Sequence, residues 1–160
     1  MIRGATAFRC DPGVVTKRKA DATYGTGCSV PFNPAIHRPN LKFWNEDRRA
    51  HMCDNIFCAF VEKGDDVCTN EVFVTDFGSH SRNQSSAAFT LYSSPTKDVW
   101  YTTDSDVCIL GEVTVDMGGR GLNREIEIVY DVTHTEVQVQ VRDKTSGNKQ
   151  KIVLDFLTSR

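Results

Sequence analysis

The most regular alternation of apolar and polar positions lies between Arg124 and Phe156. Ile126, Ile128, Tyr130 and Val132 alternate with Glu125, Glu127 and Asp131. Val137, Val139 and Val141 then alternate with Glu136, Gln138, Gln140 and Arg142, and a third apolar run spans Lys151 to Phe156. A period of two with β-branched residues predicts strands that bury one face and wet the other. The short polar turn Lys144-Thr145-Ser146-Gly147-Asn148 places its glycine where a hairpin needs positive φ. The pattern predicts an antiparallel three-stranded meander.

Upstream the signal is more broken. Met1 to Phe8 is small and apolar, which predicts a helix end stopped by Pro12-Gly13, followed by a basic connector, Thr16-Lys17-Arg18-Lys19. Ala22 to Phe32 reads as a strand with glycine interruptions, closed by Pro31. Residues 33 to 51 hold two prolines and a charge cluster, the composition of an excursion loop. Cys53 to Val61 fits either a short helix, with Asp54 as N-cap and Gly64 as stop, or a strand. Glu71–Thr75, Ala87–Tyr92 and Gly111–Met117 read as strands, and residues 78 to 86 as a polar loop. Some seven short strands with turns every 8 to 15 residues predict an all-β antiparallel sandwich.

A chain of 160 residues is one domain's worth, and its net charge of −2 gives no reason to expect nucleic acid or an anionic membrane as partner. No apolar run approaches a membrane span, and the N-terminus is too broken for a signal-peptide core. Cys10, Cys28, Cys53, Cys58, Cys68 and Cys108 contain no C-x-x-C pair and no common zinc spacing. The expectation is free, mostly buried thiols; the alternative is the disulfide framework of a secreted, adhesion-type sandwich. His37, His51, His80 and His134 fall in predicted loops without metal-ligand spacing. Gly118-Gly119-Arg120-Gly121 lacks the lysine and the following helix of a phosphate loop and reads as a turn, and Asp104 and Asp106 read as turn formers. Phe73, Phe77, Phe89 and Tyr92 flank the 78–86 loop. They form either plain sandwich core or a groove at its end that holds an extended peptide.

The meander, with Asp143-Lys144-Thr145-Ser146-Gly147 and Gln150-Lys151-Ile152, resembles the end of the substrate-binding β-sandwich of the 70-kDa heat-shock chaperones. Ile2-Arg3-Gly4-Ala5, Tyr24-Gly25, Pro31-Phe32-Asn33-Pro34, Ile56-Phe57, Phe60-Val61, Gly64, Tyr92-Ser93-Ser94, Tyr101-Thr102-Thr103-Asp104, Leu110-Gly111 and Leu154-Asp155-Phe156-Leu157 are similar, in this order, to the divergent type-12 branch of that family. The resemblance covers nearly the whole chain.

The resemblance implies residues 1–21 as the remnant of the last ATPase-domain helix and its linker, 22–157 as the β-sandwich, and 158–160 as a tail. The nucleotide machinery would lie upstream of Met1, so the chain is expected to be a non-catalytic fragment that needs no cofactor. ATP and Mg belong to the full-length family. A helical lid typically follows the last strand in the family, and the likeness to the type-12 branch implies a sandwich without it. The implied partners are unfolded or extended peptide segments and other proteins, not nucleic acid or membrane, and the implied setting is the cytoplasm or nucleus. By position, Phe73, Phe77, Phe89 and Leu91 would wall the peptide groove beside loop 76–86, with Ile126 at its floor. The alternative function is a structural or regulatory interaction sandwich that has lost peptide binding.

Overall fold

The computed structural model describes residues 2–3, 6–8, 17–68, 71–132 and 136–155. The strands are β1 (Ile2–Arg3), β2 (Thr6–Phe8), β3 (Lys17–Lys19), β4 (Thr23–Pro31), β5 (Lys42–Asn45), β6 (Ala50–Val61) and β7 (Asp66–Cys68). They continue as β8 (Val72–Gly78), β9 (Ser86–Ser94), β10 (Cys108–Asp116), β11 (Glu125–Val132), β12 (Glu136–Asp143) and β13 (Lys149–Asp155). A single 3-10 turn, Pro39–Leu41, is the one helical element among the described residues. No helix among them is long and apolar enough to cross a membrane.

Two sheets face one another. The first runs β1-β6-β4-β9-β10, with β5 also paired to β6; the second runs β13-β12-β11-β8-β2; β3 and β7 form a separate ribbon. All pairings are antiparallel except β1 with β6. The all-β sandwich expected from periodicity is the observed architecture. The meander holds its expected alternation, with Ile126, Ile128, Tyr130, Val132, Val137, Val139 and Val141 buried in the core. From the opposite sheet they meet Tyr24, Phe60, Phe89, Leu91, Val113 and Val115. The Phe60 and Tyr130 rings stack at 4.0 Å, and Phe73 packs against Phe60 at 5.7 Å. Burial pushes the Tyr130 phenol well above its ordinary pKa.

Three expectations change and one open alternative resolves. The predicted N-terminal helical stub is instead a pair of strands: Ile2 and Arg3 pair with Cys58 and Ala59, and Thr6 to Phe8 pair with Val74 to Val72. Open sheet edges offered those backbone groups a ladder, and a helix that short is marginal in water. The remaining stub residues and the Pro12-Gly13 stop lie outside the described residues, as does the 158–160 tail. The connector Lys17–Lys19 is a strand paired with β7, and Lys19 meets Asp66 at 2.7 Å. The excursion loop contains β5 and the start of β6. The ambiguous run at Cys53 is strand, and its mixed periodicity has a cause. Phe60 faces the inter-sheet core, while Phe57 and Ala59 on the opposite face are covered by Val99, with Tyr92 and Val107 packed alongside.

Candidate functional site

The sheets part at the end where β4 finishes and β9 and β11 begin. A cavity of about 460 Å³ opens there. Its walls are the end of β4 (Gly27, Cys28, Ser29, Pro31) and the β5–β6 hairpin (Arg48, Ala50, Met52). They continue through the end of β8 (Phe77, Gly78), the following loop (Ser79, His80, Gln84), the start of β9 (Ala87, Ala88, Phe89) and Ile126 of β11. Of the five residues named from the sequence, Phe77, Phe89 and Ile126 line this cavity. The Phe77 and Phe89 rings pack at 5.4 Å. Phe73 and Leu91 do not line it: they sit deeper in the sandwich core at 3% and 1% exposure.

The cavity's rim is held by polar contacts. Gln84 takes the His80 backbone N–H on its Oε1 (2.7 Å) and donates Nε2 to Ser86 O (2.9 Å), fixing the shape of the β8–β9 loop. The β5–β6 hairpin reaches across to this loop: Asn45 Nδ2 donates to His80 O (3.1 Å), the Arg82 N–H donates to Asp47 Oδ2 (3.1 Å), and Arg48 Nη2 donates to Ser79 O. A Cβ at Gly78 would lie 3.1 Å from Arg48 Nη2, so a side chain there would push this guanidinium aside by a few tenths of an ångström.

From behind, Arg124 ties the same loop to the β10–β11 connection. Only 4% exposed, it donates to Gln84 O (2.6 Å), Gly121 O (2.9 Å) and Ser81 O (3.0 Å), and more weakly to the carbonyls of Arg82, Gly118 and Gly119 (each 3.3 Å). No carboxylate among the described residues pairs with it in an ion pair. The Gly118–Gly121 turn expected from sequence thus supplies carbonyls to a buried guanidinium.

Beyond Ser29 and His80 a smaller groove of about 180 Å³ continues over the outer face of the first sheet, past Asp54, Asn55, Thr90, Tyr92 and Thr102. Asp54 accepts from Ser29 Oγ (3.2 Å) and the Asn55 N–H (2.8 Å). The His80 pKa is lowered, by burial first and then by the Arg48 charge, against an opposing pull from Asp54. Burial and the Arg48 charge both favour the uncharged ring. Cys28 is a free thiol whose hydrogen bond with Cys58, together with burial, lifts its pKa far above the ordinary range. A thiol held protonated is a poor nucleophile. Among the described residues no three His, Cys, Asp or Glu side chains come together to hold a metal ion. The arrangement supplies an apolar seat with a polar rim. Cys53, Cys58 and Cys108 likewise keep reduced thiols, whereas Cys68 is disulfide-bonded, a departure from the expected free thiols.

Sequence reasoning missed Arg48, Met52 and Arg124. The charge cluster at Asn45 to Arg49 was the one available signal for the hairpin, and nothing in the local pattern marked Arg124.

No protein-family model matches the chain. It is 26% identical over 162 residues to heat shock 70 kDa protein 12A of Mus musculus and 25% identical over 162 residues to the Homo sapiens protein of that name. Heat shock 70 kDa protein 12B of Homo sapiens is 25% identical over 169 residues. Each match takes in 98% or 99% of this chain and 24% of the relative, so the chain spans about a quarter of the length of these curated relatives. The likeness read from the ordered motifs is thus found again in whole-chain comparison: across nearly all its residues the chain is similar to one part of the heat shock 70 kDa proteins 12A and 12B.

Proposed function

We propose that this chain is a chaperone-like peptide-binding module that holds an extended apolar segment in the cavity at the sandwich end and performs no catalysis of its own. One observation carries the reading: Phe77, Phe89 and Ile126, from three different strands, converge on a cavity of about 460 Å³ that opens at the strand ends. That volume falls within the range of roughly 300–1,000 Å³ usual for ligand sites. It suits a leucine or phenylalanine side chain with its flanking backbone, and a strand-like ligand would run past the β8–β9 and β5–β6 loops at its rim.

The test is fluorescence anisotropy with labelled heptapeptides carrying one central leucine, beside the same peptides with serine there. Saturable binding of the leucine set, weakened about tenfold or more by Phe89→Ala in folded protein, is the expected result. A blank response from every apolar peptide overturns the reading and favours a sandwich used only for protein–protein docking. The reading assigns no nucleotide chemistry to these residues, so titration calorimetry with Mg-ATP should give no heat of binding; micromolar affinity would contradict it.

A further inference from the structure

Among the side chains of the cavity wall, which include the neutral polar Ser29, Ser79 and Gln84, Arg48 is the one that carries a permanent charge. Its Nη2 is engaged by the neutral carbonyl of Ser79, and among the described residues it enters no ion pair with a carboxylate. A guanidinium carries five N–H donors, so most of this fork is left unspent on a side chain that lines the cavity. The carboxylates nearby are otherwise committed. Asp47 accepts the Arg82 N–H, and Asp54 accepts from Ser29 and Asn55 in the outer groove. On the far side of β8, Asp76 and Glu125 both pair with Lys144, each at 3.1 Å.

We infer that the preferred ligand of this cavity is an extended peptide in which the seated apolar residue is followed or preceded by an acidic one. The apolar side chain fills the space between Phe77, Phe89 and Ile126, and the neighbouring carboxylate takes the free edge of the Arg48 fork. A planar guanidinium suits this because it can meet a carboxylate with two parallel hydrogen bonds. A lysine or arginine in the same place would meet a like charge. This inference rests on the peptide-binding reading and names the charge preference within it.

The experiment compares three labelled heptapeptides that share a central leucine and differ only in its neighbours, which are glutamate, glutamine or lysine. The glutamate peptide should bind about fivefold more tightly than the lysine peptide, the scale of a solvent-exposed ion pair. Raising the salt from about 0.05 to about 0.5 M should shrink that ratio, because screening at the rim is efficient. In the Arg48→Gln variant the ratio should fall near one at low salt. Equal or tighter binding of the lysine peptide overturns the inference, as does a glutamate preference that survives in Arg48→Gln or is indifferent to salt. With the glutamine peptide bound in those cases, the peptide-binding reading stands and only the charge preference falls. If none of the three binds, both fall.

Discussion

Replacing Arg124 is the sharpest test of how the candidate cleft is built. Its guanidinium is buried, unpaired with any described carboxylate, and held by carbonyls of the β8–β9 loop and of the β10–β11 connection. Hydrogen bonds from a charged donor contribute roughly 1.5–3 kcal/mol each, net of the water they replace, so the three contacts at 3.0 Å or less bound the gain at about 5–9 kcal/mol. Bringing a cation out of water without a counter-ion costs several kcal/mol, which those net values already carry in part, so the sum is an upper bound. In Arg124→Ala that desolvation cost is recovered, but carbonyls that pointed at the guanidinium lose their donor, and only some regain water. The net expectation is a loss of about 3–5 kcal/mol, the scale seen when one side of a buried charged contact is removed.

Arg124→Lys keeps the charge but has three donors on one nitrogen and cannot reach both loops, so it should lose about 2 kcal/mol. Chemical denaturation gives the totals, and amide exchange gives the place. The Met117 N–H on Ser85 O and the Gly121 N–H on Arg82 O, both 2.9 Å, stitch the two segments and should lose protection first. The reasoning fails if Arg124→Ala costs under about 1 kcal/mol, or if those two amides stay as protected as in the parent while the loss is spread through the meander.

Three further outcomes follow from the same geometry. Leu91→Ala, at 1% exposure in the sealed core, should cost roughly 2–5 kcal/mol, whereas Phe89→Ala enlarges a space already open to water and should lose less stability and more peptide affinity; equal stability losses, with affinity tracking only the folded fraction, would place both in the core. Gly25→Ala would bring a Cβ against the Cys58 carbonyl oxygen and to 2.8 Å from Ala59 Cα, so β4 and β6 must separate, at about 1–3 kcal/mol by denaturation; an unchanged midpoint would refute this. Burial would raise the Asp143 pKa, but bonds from Ser146 Oγ and the Gly118, Thr145 and Ser146 N–H groups together lower it. Its contribution is therefore complete above the unfolded carboxyl value of 3.8 and lost as pH falls through the lower folded value; Asp143→Asn should flatten that acid limb, and a limb as steep as the parent's would remove Asp143 as its source.

The pattern of residues told which face a side chain takes more readily than how far along the sandwich it lies. Phe73 and Phe77 share a face of β8, and Phe89 and Leu91 share a face of β9, because each pair is separated by an even number of positions. The period-two signal is blind to where the opposite sheet stops, so it could not separate Phe77 and Phe89 at the cavity from Phe73 and Leu91 in the sealed core. At β6 the signal itself was corrupted. Asn55 takes φ 57°, the register with β4 shifts between Cys28 and Val30, and both faces beyond this point are covered. Alternation then gives way to a continuous apolar run that a short helix could equally have produced. Arg124 and Arg48 were invisible for a different reason. Each acts on backbone carbonyls that belong to a loop some 31 to 43 positions away in the chain. Carbonyls carry no sequence signature, so a cation that binds them looks like any other arginine until the loops are in place. The apolar seat of the cleft is thus written in side chains, while its rim is written in backbone geometry, and only the first is legible before folding.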